Sequence, residues 1–289
     1  MTLAASYDAC RQINARTGRT FYLATLLLPP AKRPAVHALY AFARRTDEIV
    51  DRLDPTLTVA QRERELSAWG TRFLSGAADD PVLAAVHDTV ERYGIPLRHF
   101  EDFLTSMRMD LTTKEYATYD DLAVYVHGSA AVIGLQMLPV LGTVPGMHDA
   151  AAPYARDLGI AFQLTNFIRD IGEDLQRDRM YLPKDELAMF GVTRDDLASR
   201  VVDGNVRRLI AFQVTRAREL YRSAAPGLRL LDPTSRDCIR TATTLYGEIL
   251  DAVEAADYQV LDRRVAVGLP RRAAVAAPAL VRAWWRRRT

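Results

Sequence analysis

The chain has 289 residues, 49% of them apolar and 26% charged, with a net charge of +2. That balance excludes a disordered or fibrous chain and leaves enough apolar material to bury a sizeable core. Only Cys10 and Cys238 are present, far apart and without metal-ligand spacing, which argues against a disulfide framework and fits a reduced, cytoplasmic setting.

From the start, Met1 to Gln12 lacks a basic stretch followed by an apolar run, so no signal peptide is expected. No run of about 18 uninterrupted apolar residues occurs, so no membrane span is expected either. Nearly every segment reads as helix, and no alternating strand pattern stands out. Pro29-Pro30 and then Pro34 predict a break and a helix start, with the helix running to about Arg52 and ended by Asp54-Pro55. Further helices are expected at about 58–75, 80–93, 96–111, 119–143, 150–176, 203–225, 235–257 and 271–287. Gly76, Gly94-Ile95-Pro96, Pro145-Gly146 and Pro226-Gly227 punctuate them. The apolar stretch Tyr125 to Gly142 contains Gly128 and Gly134. Each glycine there lowers helix stability by about 1 kcal/mol against alanine, so close packing or a kink beside a ligand is expected. With no repeat and no low-complexity linker, residues 1–289 are expected to form one all-α domain.

The last stretch is electrostatically distinct. From Arg263 to Thr289 there are eight arginines and no acidic residue, so the rest of the chain carries −6. The end, Trp284-Trp285-Arg286-Arg287-Arg288, suits the headgroup layer of an anionic membrane. It suits a solvated last helix whose tryptophans cap the core equally well. Basic residues gathered at one end without a recognition motif argue against a nucleic-acid partner.

Two segments carry the chemistry. Residues three and four apart share a helix face. Tyr40, Arg44, Asp47 and Asp51 therefore form one stripe, and Gln163, Asn166, Asp170 and Asp174 form another. Both are set among apolar residues such as Phe42, Ile49, Val50, Phe167 and Ile168. Carboxylates buried in such company need a positive partner. One acidic i,i+4 pair is usually a solvated face; two, each beside an arginine, are not readily dismissed. Carboxylates without histidine or thiolate favour a hard cation, Mg²⁺ above all, completed by water and substrate phosphate. Arg44 and Arg169 can take phosphate oxygens. Together these features predict a metal cluster that grips a diphosphate, releases it as a leaving group, and passes the carbocation to an apolar cavity that excludes water. Five scattered histidines offer neither Glu-x-x-His pairs nor a His-Glu-x-x-His motif, and no phosphate loop or nucleophile elbow appears.

These residues resemble the squalene/phytoene synthase family. The likeness is carried by Phe21-Tyr22-Leu23-Ala24-Thr25-Leu26-Leu27-Leu28-Pro29, Tyr40 to Asp51, Tyr125 to Gly134, and Asn166 to Asp174 with Tyr181-Leu182-Pro183, and it covers most of the chain. Val126 to Gly134 looks most like the bacterial phytoene synthases. The resemblance implies an isoprenoid synthase helical bundle with a central apolar cavity. It implies head-to-head condensation of two geranylgeranyl diphosphates, through a cyclopropylcarbinyl diphosphate, to phytoene. Asp47, Asp51, Asp170 and Asp174 would hold Mg²⁺ (Mn²⁺ as a substitute), with Glu48, Asn166 and Glu173 supporting. Tyr40, Arg44, Gln163, Arg169 and Arg19 would bind diphosphate, joined by Arg263 or Arg264 from the tail. Tyr125 would steer the cation or its proton, Tyr246 would act later in the same cavity, and Ala130, Gly134 and Ala161 would line a prenyl tunnel. NADPH is not expected, because phytoene forms by proton loss.

Three positions depart from that family pattern. Thr17 stands where the family commonly begins with histidine, Arg45 replaces a small or aromatic residue, and Arg52 follows Asp51 where another acid is frequent. Alternatives therefore remain at this point: a squalene or dehydrosqualene synthase using farnesyl diphosphate, a class I terpene cyclase, or a non-catalytic helical protein of the membrane surface.

Overall fold

A computed structural model describes residues 2–52, 54 and 56–286, apart from the side chains of Arg19 and of residues 283–286. The Arg19 side chain, Trp284, Trp285 and Arg286–Arg288 thus lie outside what can be placed. Among the described residues the chain is α-helical, with two isolated β-bridges and no strand. Helices α1 (Leu3–Thr17) and α2 (Arg19–Thr25) precede the first one the sequence delimits. Then come α3 (Arg33–Val50), α4 (Val59–Leu74), α5 (Pro81–Tyr93) and α6 (Arg98–Thr112). Local chemistry explains their limits. Thr58 and Gln61 form a capping box at α4. Asp80 caps α5 and Pro81 opens it, while Gly94 ends it at φ 61°.

The apolar run beyond α6 is α7 (Tyr119–Val126) and α8 (Val132–Leu141), joined without a break by a π turn over His127–Ala131. By length and composition Tyr119–Leu141 would cross a bilayer, but 56% of its most apolar window is buried. It packs against α6 and the long helix α9 (His148–Gln176). Short helices α10 (Lys184–Met189) and α11 (Arg194–Ala198) lead to α12 (Gly204–Ala224), α13 (Arg236–Ala255) and α14 (Leu269–Arg286).

The expected glycine role resolves as close packing. A β-carbon on Gly128 would strike the Asp102 carbonyl of α6, and one on Gly134 the Ala155 carbonyl of α9. Gly159 of α9 meets the Ala130 carbonyl in return. Main chain touches main chain on both sides of the π turn. Elsewhere the core is conventional: Phe42, Phe73 and Phe100, all buried, meet at centroid distances of 4.7 to 5.4 Å between α3, α4 and α6. Each such ring contributes about 2–3 kcal/mol by leaving water. This packing fixes the stripe-bearing helices α3 and α9 on either side of the bundle's interior space.

Candidate active site

That space has two compartments. One is a charged chamber of about 820 Å³ lined by both stripes, and the other an apolar cavity of about 300 Å³. Phe21, Tyr40, Ala43, Gln163 and Asn166 line both and form the seam between them. The apolar cavity continues between Leu39, Ile133, Gly134, Met137, Leu158 and Ala242. Ala130 lines it as well, whereas Ala161, fully buried, does not.

Helix α3 brings Tyr40, Arg44 and Asp47 to the chamber and Asp51 follows as its C-cap, while α9 brings Gln163, Asn166, Arg169, Asp170 and Asp174. The two expected stripes therefore face one space. Burial, with the nearby charges of Asp51 and Asp110, pushes the Asp47 carboxyl up to about 8. Burial and Asp170 raise Asp174 to about 7 against the opposing pull of Arg179 and Arg177. The other carboxylates are held by arginine. Arg169 grips Asp170 at 2.5 Å and Arg264 reaches the same group at 3.0 Å, while Arg179 holds Asp51 at 2.7 Å. Asn166 Oδ1 is buried with no hydrogen-bond partner.

These groups fit a hard divalent cation. The donors are oxygens, one acceptor is buried and unsatisfied, and two acids sit in a field that positive charge would relieve. Among the described residues no set of three or more acids, histidines or cysteines is already arranged as a metal cage. Asp51 and Asp170 are instead ion-paired with Arg179 and Arg169.

Several expected residues take other positions. Arg263 is exposed and does not line the chamber; its neighbour Arg264 does, as do Ala266 and Val267 further along the same run. Glu48 pairs with Arg44 at 3.1 Å and borders a separate surface pocket with Arg45 and Arg52. Glu173 lies outside the chamber lining, 3.8 Å from Arg264. Tyr246 lines the chamber against Phe21 and Phe162, and burial pushes its phenol up to about 12. Tyr125 also lines it, fully committed to a hydrogen bond with Asp110 at 2.7 Å. Thr17 donates to the Ile13 carbonyl and shares a 3.1 Å hydrogen bond with Tyr40 at the chamber wall.

Sequence reading misses Asp110, Arg177 and Arg179, all of which line the chamber. For Asp110 a signal exists: it continues the buried stripe Phe103, Met107, Leu111 of α6, where an acid is out of place. Arg179 lies just past the turn that ends α9, where no periodicity points to it.

A family model described as squalene/phytoene synthase matches residues 14–271. The phytoene synthase of Arthrospira platensis is 40% identical over 276 residues, covering 92% of this chain and 89% of its own. The 15-cis-phytoene synthase of Synechococcus elongatus is 38% identical, covering 98% and 94%. Among solved structures, a dehydrosqualene synthase in complex with a ligand superposes with a TM-score of 0.86 at 30% identity, over 97% of both chains.

Proposed function

Since the chain belongs to the squalene/phytoene synthase family, we propose that its two-compartment interior joins two geranylgeranyl diphosphates head to head and converts them to phytoene. The single observation that carries this reading is the seam. A chamber with facing acid–arginine walls adjoins an apolar cavity across five shared lining residues. A prenyl diphosphate has that same division between head and tail.

Asp47, Asp51, Asp170 and Asp174, with Asn166, would hold Mg²⁺ or Mn²⁺. Bound there, the metal neutralises diphosphate charge and makes it a better leaving group. The chain's own groups do the rest. Arg44, Arg169 and Arg264 take diphosphate oxygens by charge-assisted hydrogen bonds. Gln163 and Tyr40 orient the first carbons at the seam, and the apolar walls exclude water from the cation. Nothing in this scheme calls for NADPH. A cytoplasmic chain in peripheral contact with the inner membrane face is part of the same proposal, supported by α14, where Leu269, Leu280 and Val281 are exposed beside arginines.

The test is a product assay on purified protein with Mg²⁺ and geranylgeranyl or farnesyl diphosphate, each with and without NADPH, read by mass. A C40 hydrocarbon made without NADPH is the expected result. A C30 product as the main outcome moves the protein to the squalene or dehydrosqualene branch, and a C20 product alone makes it a cyclase.

A further inference from the structure

Asp110 occupies the chamber without serving either stripe. It lies on the buried face of α6, 7% exposed, and phenols take both of its oxygens. Tyr125 donates to Oδ2 at 2.7 Å, and Tyr181 donates to Oδ1 at 2.9 Å. Arg179 braces the arrangement, donating to the Asp110 main-chain carbonyl at 3.5 Å and to Asp51 at 2.7 Å. The two phenol rings stack at 5.5 Å and 23°, and Phe167 stacks on Tyr181 at 4.2 Å and 10°. All these groups line the charged chamber.

A phenol has one proton. Once Tyr125 and Tyr181 have given theirs to Asp110, each oxygen has only lone pairs left to offer. The wall then shows ring faces and oxygen lone pairs, and no O–H, to whatever forms beside it. Such a surface attracts positive charge and has no proton to give.

We propose that Asp110 is a positioning residue: it orients Tyr125 and Tyr181 so that their unprotonated sides face the carbocation of the second ionisation. The inference rests on the proposed reaction. In that step the C–O bond of the cyclopropylcarbinyl diphosphate breaks and both electrons leave with the diphosphate. The positive charge stays on the carbon skeleton. The wall shares that charge electrostatically, forms no bond and takes no proton. Asparagine at 110 keeps the shape but brings an amide donor that cannot accept a phenolic proton. One phenol must then turn its O–H into the chamber.

The test compares D110N, the paired Y125F/Y181F variant and the triple variant with the wild type. The readout is the fraction of turnovers released as cyclopropylcarbinyl diphosphate instead of C40 hydrocarbon. D110N is expected to raise that fraction about tenfold. Acting through Tyr125 and Tyr181, it adds nothing to Y125F/Y181F in the triple variant. An unchanged fraction in D110N, or effects that multiply, overturns the assignment. Raman difference spectra of wild type against Y125F and Y181F supply a measurement that does not need D110N to fold. Both phenols must report as hydrogen-bond donors, and an acceptor signature on either overturns the proposal. A wild type that makes no C40 hydrocarbon instead refutes the underlying reaction, independently of Asp110.

Discussion

At a single side chain, charge decides behaviour. Asp47 sits half-buried beside Asp51 and Asp110, and desolvation together with those charges pushes its carboxyl up to about 8. Removing one member of a like-charged cluster relieves repulsion in the metal-free protein, while it deletes an oxygen that the cation needs. Asp47→Asn and Asp170→Asn are therefore expected to lower kcat by about a thousandfold or more, with the urea midpoint little changed in Asp47→Asn but lowered in Asp170→Asn, which leaves Arg169 without its partner. Unaltered turnover in both would remove the metal assignment. The same scale shows what sequence can reveal. The stripe residues were legible because their spacing is helical and their neighbours are apolar. Arg264 was only half legible: two adjacent arginines are equivalent until a backbone gives them directions, and only one faces inward.

Among helices, the decisive quantity is separation. α8 approaches α9, and the π turn approaches α6, until carbonyls meet glycine α-carbons at Gly128, Gly134 and Gly159. An added methyl has nowhere to go, since the obstacle is backbone. Gly134→Ala is expected to destabilise the fold by about 1–3 kcal/mol through overpacking, read as a lower urea midpoint. A neutral or stabilising result, the usual outcome of Gly→Ala in a helix, would mean that the helices part at little cost. Most long helices were legible from periodicity and breakers, to within a few residues of their ends. The π turn was not, because an extra residue in one turn leaves the apolar pattern of Tyr125 to Gly142 intact. α1 and α2 were not delimited either; α1 is only weakly amphipathic, with Ser6, Cys10 and Asn14 as its buried positions.

For the molecule as a whole, the acid–arginine lattice predicts how ligands cooperate. Asp170 and Asp51 are occupied by Arg169, Arg264 and Arg179. A cation arriving alone must displace those arginines, and a diphosphate arriving alone must face the acids. Together, each releases the other's partner. Mg²⁺ and pyrophosphate are therefore expected to raise the melting temperature jointly by more than the sum of their separate effects. Additive shifts across a titration would show that the two sites are independent.

The glycine contacts around the apolar cavity have a consequence for how this chain could change its substrate. Gly134 and Gly159 line that cavity and abut backbone carbonyls, so its back plate is made of main chain, which mutation alters least. A ruler built that way cannot be lengthened by spreading its helices. Any shift toward longer or shorter prenyl chains has to be written in the side chains along its edge, such as Ile133, Met137 and Leu158.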